Sequence, residues 1–143
     1  MPFDTLFSAA STAAMAGWIA LILLPRWPML IAGLRYALIG GLSLTYATLI
    51  FVYFFRVEAG GFGSITEVRA LFASDPVLVA GWVHYLAFDL FIGSWIAVEA
   101  DRRRFNRVLQ VPILAATFMF GPLGLLLFYL TSATHAALLV KKV

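Results

Sequence analysis

The sequence predicts an all-α polytopic membrane protein, with four transmembrane helices and a short amphipathic surface helix between spans two and three. Three observations predict it. Of 143 residues, 63% are hydrophobic and only 12% charged, against about 25% charged in soluble domains. The apolar residues fall into four long runs, each closed by proline, glycine or basic residues. A helix needs about 20 such residues to cross about 30 Å of hydrocarbon, so these runs and their short connections fill the chain as a single bundle over 1–143.

The first span covers about 5–24 and stops at Pro25, Arg26, Trp27 and Pro28, which break a helix and supply an interfacial cation and ring. Asp4 stands where a signal peptide carries positive charge, and the apolar run exceeds a signal h-region, so the segment reads as a retained span without an organelle-targeting extension. The second span, about 34–55, ends at Arg56 before the glycine-rich EAGGFGS. Residues 65–74, ITEVRALFAS, place Ile65, Val68, Leu71 and Phe72 on one helical face and Glu67, Arg69 and Ser74 largely on the other, too short a length to cross. Asp75 as N-cap and Pro76 as first helical residue open the third span, about 76–100. The fourth, about 111–140, follows the basic loop 101–107 and is predicted to kink at Gly121, Pro122 and Gly124.

Arg26, Arg35, Arg102, Arg103, Arg104 and Arg107 fall on one side of this layout and Arg56, Arg69, Lys141 and Lys142 on the other. The bias favours both termini outside, and the simplest setting is a bacterial inner membrane. Small residues at four-residue intervals, Ala9, Ala13 and Gly17 in span one and Ala37 and Gly41 in span two, allow close backbone approach and would suit a homodimer. The net charge of +3 comes from residues at the ends of apolar runs, which points to lipid headgroups and not to nucleic acid.

The absence of cysteine excludes disulfides, thiolate metal sites and thiol catalysis. No phosphate loop, nucleophile elbow, dinucleotide fingerprint or haem motif is present, so no cofactor is expected. Among His84, Asp89, Glu99 and His135 no two histidines stand at i, i+4, and no metal is expected either. Any substrate is therefore lipophilic and enters from the bilayer.

The chemistry gathers in WVHYLAFDLFIGSWIAVEADRRR, residues 82–104, where His84 and Asp89 sit inside the third apolar run. An ionised carboxyl in hydrocarbon costs roughly 3 kcal/mol on insertion scales, so such a residue faces a bundle interior or a water pocket. His84 and Asp89 lie about 140° apart around the helix, which requires a span surrounded by its neighbours. His84, Phe88, Phe91 and Trp95 share one face, and Trp82, Asp89, Gly93 and Ile96 share another; a pocket in the sector between would receive both polar groups as an acid and base pair. The plainer alternative is a tertiary hydrogen bond from Asp89 to Thr45, Tyr46 or Tyr53 on span two.

Tyr46 and Tyr53, seven residues apart, share a face and would orient a ligand or simply pack. Phe120, in FMFGPLGLLLFYL, would contribute to a flat aromatic wall, although the same run also reads as a plain helix kink. Glu99 and Asp101 are second-tier candidates, more simply an interfacial pairing with Arg102 or Arg103. His135, beside Thr131, Ser132 and Thr134, is a further second-tier candidate or an interfacial cap.

Trp82, His84, Asp89, Leu90 and Phe91, the later Asp101, and the Gly121–Pro122–Leu123–Gly124 turn together resemble the abscisic-acid-deficient-four-like family, well over spans three and four and in general layout before them. Ser94 departs from the family pattern, in which an arginine often follows the DLF segment. The resemblance implies a membrane enzyme of carotenoid or isoprenoid metabolism with isomerase-like acid and base chemistry, since plant members are required for neoxanthin synthesis from violaxanthin. A proton donor would open an epoxide while a base removes a proton to form the allene. Asp89 would be the donor and His84 the base or its orienting partner, with Trp82, Tyr46, Tyr53, Phe88, Phe91, Trp95 and Phe120 binding the carotenoid or isoprenoid. Two other classes compete: a non-catalytic carotenoid-binding, lipid-binding or assembly partner of another membrane enzyme, and a small proton-coupled transporter.

Overall fold

The computed structural model describes the backbone of residues 3–57 and 59–140, with side chains as far as His135. Lys141 and Lys142, which enter the charge count above, lie outside the described residues. Helix α1 (Phe3–Leu23) carries Asp4 in its first turn, where a carboxylate complements the helix dipole. Leu24 precedes Pro25 and is thereby disfavoured from helix, which ends α1. Trp27 is extended, with φ −61° and ψ 151°, and Pro28 then starts α2 (Pro28–Arg56) with its preset φ. This start lies ahead of the expected boundary at 34 and leaves only a tight connection to α1.

Helix α2 is π-helical over Gly33–Ile39 and tightens to a 3-10 turn at Phe54–Arg56. The short α3 (Ile65–Leu71) is capped by Ser64, whose hydroxyl accepts from the Glu67 N–H at 3.2 Å. The Glu67 carboxylate in turn accepts from the Gly63 N–H at 2.9 Å, a reciprocal arrangement close to a capping box. Helix α4 (Asp75–Arg102) opens one residue earlier than expected, with Ser74 rather than Asp75 as its N-cap. Two further helices follow, α5 (Arg107–Phe120) and α6 (Pro122–Val140).

Helices α1, α2 and α4 are long and apolar enough to cross a membrane. Half of the apolar window of α4 is buried, against 28% for α1 and 17% for α2, so α4 is the central helix. Val79, Val83, Leu86, Leu90, Ile96 and Ala97 turn its successive faces into the core. Of the small-residue stripe of α1, Gly17 is buried as expected, beside Trp18 and Leu21, whereas Ala10 and Ala14 turn inward in place of the exposed Ala9 and half-buried Ala13. Ala37 and Gly41 of α2 are exposed as well. The difference follows from Trp18, whose buried indole lies over Gly93 of α4 and fixes which face of α1 turns inward.

The expected fourth span is not one kinked crossing. Residues 107–140 form a helical hairpin. With 14 residues at about 1.5 Å each, α5 is about 21 Å long, short of a bilayer crossing. At Gly121 the backbone takes φ 48° and ψ −94°, and α6 runs back along α5 so closely that a Cβ on Gly124 would overlap Thr117. The return is visible in the rings: Phe105, ahead of α5, meets Phe128 at 6.2 Å and His135 at 4.9 Å between centroids. The hairpin tip therefore reaches the middle of α4 and no further.

This topology moves the carboxy-terminal helix end. Phe3 packs on Tyr53 and Phe7 on Trp82 at one end of the bundle, whereas His135 lies with Phe105 at the other, beside the arginine-rich loop. The described ends of the chain lie at opposite ends of the bundle, which corrects the layout with both termini on one side.

Candidate functional site

Asp89 stands at the middle of α4, and the hairpin tip is built against it. A Cβ on Gly121 would fall 2.6 Å from Asp89 Oδ1. Both the positive φ and this close approach require glycine there. Oδ2 of Asp89 is buried and has no hydrogen-bond partner among the described residues. A buried polar atom left unpaired costs about 1–3 kcal/mol, a cost that a hydrogen bond from the Tyr85 hydroxyl of the same cavity would offset. None of the hydrogen bonds expected from Asp89 to Thr45, Tyr46 or Tyr53 forms, because Asp89 faces the hairpin and α1 and not α2.

The carboxyl opens on a cavity of about 210 Å³ walled by Trp18, Trp82, Tyr85, Phe118 and Met119, with Ser11 at its edge. The walls brace one another. Trp82 stacks on Tyr85 at 5.4 Å and on Phe7 at 5.2 Å, and its indole N–H donates to Ser11 Oγ at 2.9 Å. Trp18 meets Phe118 edge-on at 5.6 Å. The Tyr85 phenol donates to the Met119 carbonyl at 3.2 Å, at the end of α5 where the last carbonyls lack helical partners. Tyr85 is thus a polar group of this cavity that the sequence does not single out. Its signal is the i, i+4 spacing to Asp89, which puts both on one face of α4.

His84 does not share this cavity. It is exposed, stacks on Phe88 at 4.4 Å and tilts against Tyr46 at 5.4 Å. It lines a separate cavity of about 450 Å³ with Tyr46, Phe54, Phe62 and Phe72. The angle of about 140° between the two residues is resolved by two cavities on different sides of α4, and not by one pocket in the sector between them.

The expected binding residues divide accordingly. Trp82 lines the Asp89 cavity and Tyr46 the His84 cavity. Phe88 and Phe91 line a third, of about 240 Å³, with Ile39 and Ser43. Trp95 packs against Phe128 of the hairpin, Tyr53 packs against Phe3, and Phe120 is 60% exposed beside the tip.

The second-tier acids hold structure together at the arginine-rich end. Glu99 pairs with Arg102 at 3.2 Å and Arg103 at 2.9 Å, as expected from their spacing. Asp101 pairs instead with Arg26 at 3.1 Å and Arg107 at 3.4 Å, because the tight α1–α2 connection delivers Arg26 to the end of α4. Arg26 also donates to the Ala97 carbonyl at 3.0 Å and to Gln110 Oε1, while Gln110 Nε2 donates to Asp101 at 2.9 Å. Burial pulls the Arg26 guanidinium below its usual range and Asp101 pulls it back. His135 packs on Phe105. Among the described residues no cluster of three metal-ligating side chains occurs.

Position 94 carries serine, yet a guanidinium is present there. Arg35, in the π-helical part of α2, donates from Nε to Ser94 Oγ at 3.1 Å and lies 5.8 Å over the Phe91 ring.

No curated protein and no solved structure matches the chain. The family model described as ABA DEFICIENT 4-like does match, over residues 5–128. That stretch contains the walls of the Asp89 cavity, the Gly121 tip and the helix that returns from it as far as Phe128. The chain belongs to the ABA DEFICIENT 4-like, or ABA4-like, family.

Proposed function

We propose that the protein acts on a carotenoid or related isoprenoid, by acid and base chemistry centred on Asp89. The observation that carries this reading is the buried Oδ2 of Asp89, without a hydrogen-bond partner among the described residues, on a residue that lines an aromatic cavity. Family membership supplies the substrate class, and isomerisation suits the site because it returns every proton it takes. In its acid form Asp89 donates a proton to a substrate oxygen such as an epoxide; the resulting carboxylate then removes a proton from carbon, and the carboxyl is regenerated. Tyr85, one turn away, orients the oxygen or relays the proton. His84 lines the neighbouring cavity, so its part in this reading is to shape a binding wall, with Tyr46 and Phe88, while Asp89 takes both steps.

The cavity sets a limit on how the substrate sits. Its volume of about 210 Å³ is below the 300–1,000 Å³ of ordinary ligand sites, so one end group enters and the remaining polyene lies along the outer face of the bundle. The same small volume favours the second reading, a non-catalytic carotenoid-binding or assembly partner that only grips a ring. A membrane location follows from the three long apolar helices; the bacterial inner membrane remains the simplest setting for it.

Asp89→Asn separates the two readings. The variant is expected to retain co-purified pigment and to lose product, measured by chromatography of the bound and cellular carotenoids. An unchanged product profile with retained pigment would sink the catalytic reading and leave the binding one.

A further inference from the structure

A cation inside an apolar helix needs an anion or a route to water. Arg35 lies seven residues into α2, in the π-helical stretch Gly33–Ile39, a form that recurs at functional positions. Its Nε is fixed by the fully buried Ser94, whose hydroxyl is itself held by the Phe91 carbonyl at 2.8 Å. Neither terminal nitrogen of the guanidinium meets a protein acceptor among the described residues. The side chain is anchored at one nitrogen, and no carboxylate among the described residues pairs with its fork.

The acids nearby are already engaged. Asp101 serves Arg26 and Arg107, and Glu99 serves Arg102 and Arg103. Arg104 adds another positive charge at this end of the bundle, so six arginines face two carboxylates there among the described residues. Arg35 opens on a lateral groove of about 390 Å³ that it shares with Arg26, Ile31, Ala32, Tyr36 and Val98. Tyr36 is 85% exposed at its rim. The Arg35 guanidinium, a phenol at the rim and aliphatic walls form an amphipathic site, while Arg26 at its edge is already engaged with Asp101 and Gln110.

We infer that this groove binds the phosphate of an anionic phospholipid, the Arg35 fork contacting the phosphate and Ile31, Ala32 and Val98 the glycerol and upper acyl chain. The site is distinct from the Asp89 cavity, which lies on the α1 and hairpin side of α4, and it stands whether or not that cavity is catalytic.

The test uses the full chain in mild detergent, with native mass spectrometry counting bound lipid and thermal unfolding as a second readout. The expected result is preferential retention of phosphatidylglycerol over phosphatidylcholine. Arg35→Gln should weaken that binding about tenfold, the loss expected for a charged hydrogen-bonded contact. Arg35→Lys should weaken it less, and Arg104→Gln, outside the groove, should leave it unchanged. Lipid counts are read on folded protein only, so a poorly folding Arg35→Gln is replaced by Arg35→Lys at increasing salt. Equal retention of the two lipids, or an undiminished preference in both Arg35 variants, would overturn the inference. Equal stabilisation by inorganic phosphate alone would also overturn it, by reassigning the groove to a soluble anion.

Discussion

The backbone of Gly121 is packed against the carboxyl of Asp89, with room for a hydrogen but not for a methyl group: a Cβ there would lie 2.6 Å from Oδ1 and 3.0 Å from Oδ2. Gly121 also sits at φ 48° and ψ −94°, where an L side chain is strained by about 1–3 kcal/mol. Gly121→Ala should therefore lower the thermal midpoint by several degrees and displace the hairpin tip from Asp89. Unfolding in detergent, followed by tryptophan fluorescence, checks the first effect. Carotenoid product analysis on the folded fraction checks the second. A variant with the parent's midpoint and products would mean that the tip does not depend on this contact.

A second close approach joins α1 to α4. The Trp18 indole covers Gly93 so closely that any Cβ there overlaps it, and Trp18 is only 2% exposed. Overpacking of this kind costs about 1–3 kcal/mol. Gly93→Ala should destabilise by that amount, and adding Trp18→Phe should recover part of the loss by vacating volume. If the double variant is as unstable as the sum of the singles, the two positions are not coupled through this contact.

Much of the bundle is legible in the sequence because hydrophobicity and helix breakers act locally. Pro25 and Pro28 end and begin helices by backbone geometry alone, and the acid Asp89 inside an apolar run marks α4 as a helix with packed neighbours. The hairpin is not legible in the same way. A Gly-Pro pair inside an apolar run reads equally as a kink or a reversal, and only the shortness of α5 and the packing of α6 back on Thr117 and Phe105 decide for reversal. The candidate site divides along the same line. Asp89 stands out because an acid in an apolar run is costly, but the shared pocket with His84 does not form, since angular position on one helix says nothing of what the neighbours place between. Tyr85, Ser11 and Arg35 become polar site residues only through contacts with other helices.

The network at the arginine-rich end should show unequal costs for its two acids. Arg26 has a side chain only 3% exposed, so Asp101→Ala leaves a buried cation without its main partner, a loss of about 3–5 kcal/mol. Glu99 pairs with Arg102 and Arg103, whose side chains are 76% and 45% exposed, and such surface pairs contribute about 0–1 kcal/mol. Denaturant midpoints of Asp101→Ala and Glu99→Ala, measured side by side, check the difference. Equal midpoints would show that Gln110 and the Leu21 and Ala97 carbonyls suffice for Arg26.

The hairpin makes a prediction about sidedness that a fourth crossing span reverses. In the structure the loop holding Arg104 and the exposed Thr134 near the end of α6 lie at the same end of the bundle, and Gly63, in the connection before α3, lies at the other. A fourth span would instead carry Thr134 across to the side of Gly63. The chain has no cysteine, so single-cysteine variants label without background. Arg104→Cys, Thr134→Cys and Gly63→Cys are placed in sealed vesicles and treated with a membrane-impermeant thiol reagent. Positions 104 and 134 should react from one side of the membrane and position 63 from the other. Reaction of 134 together with 63 would restore the crossing helix and remove the Gly121 tip from Asp89, and with it the geometry on which the catalytic reading depends.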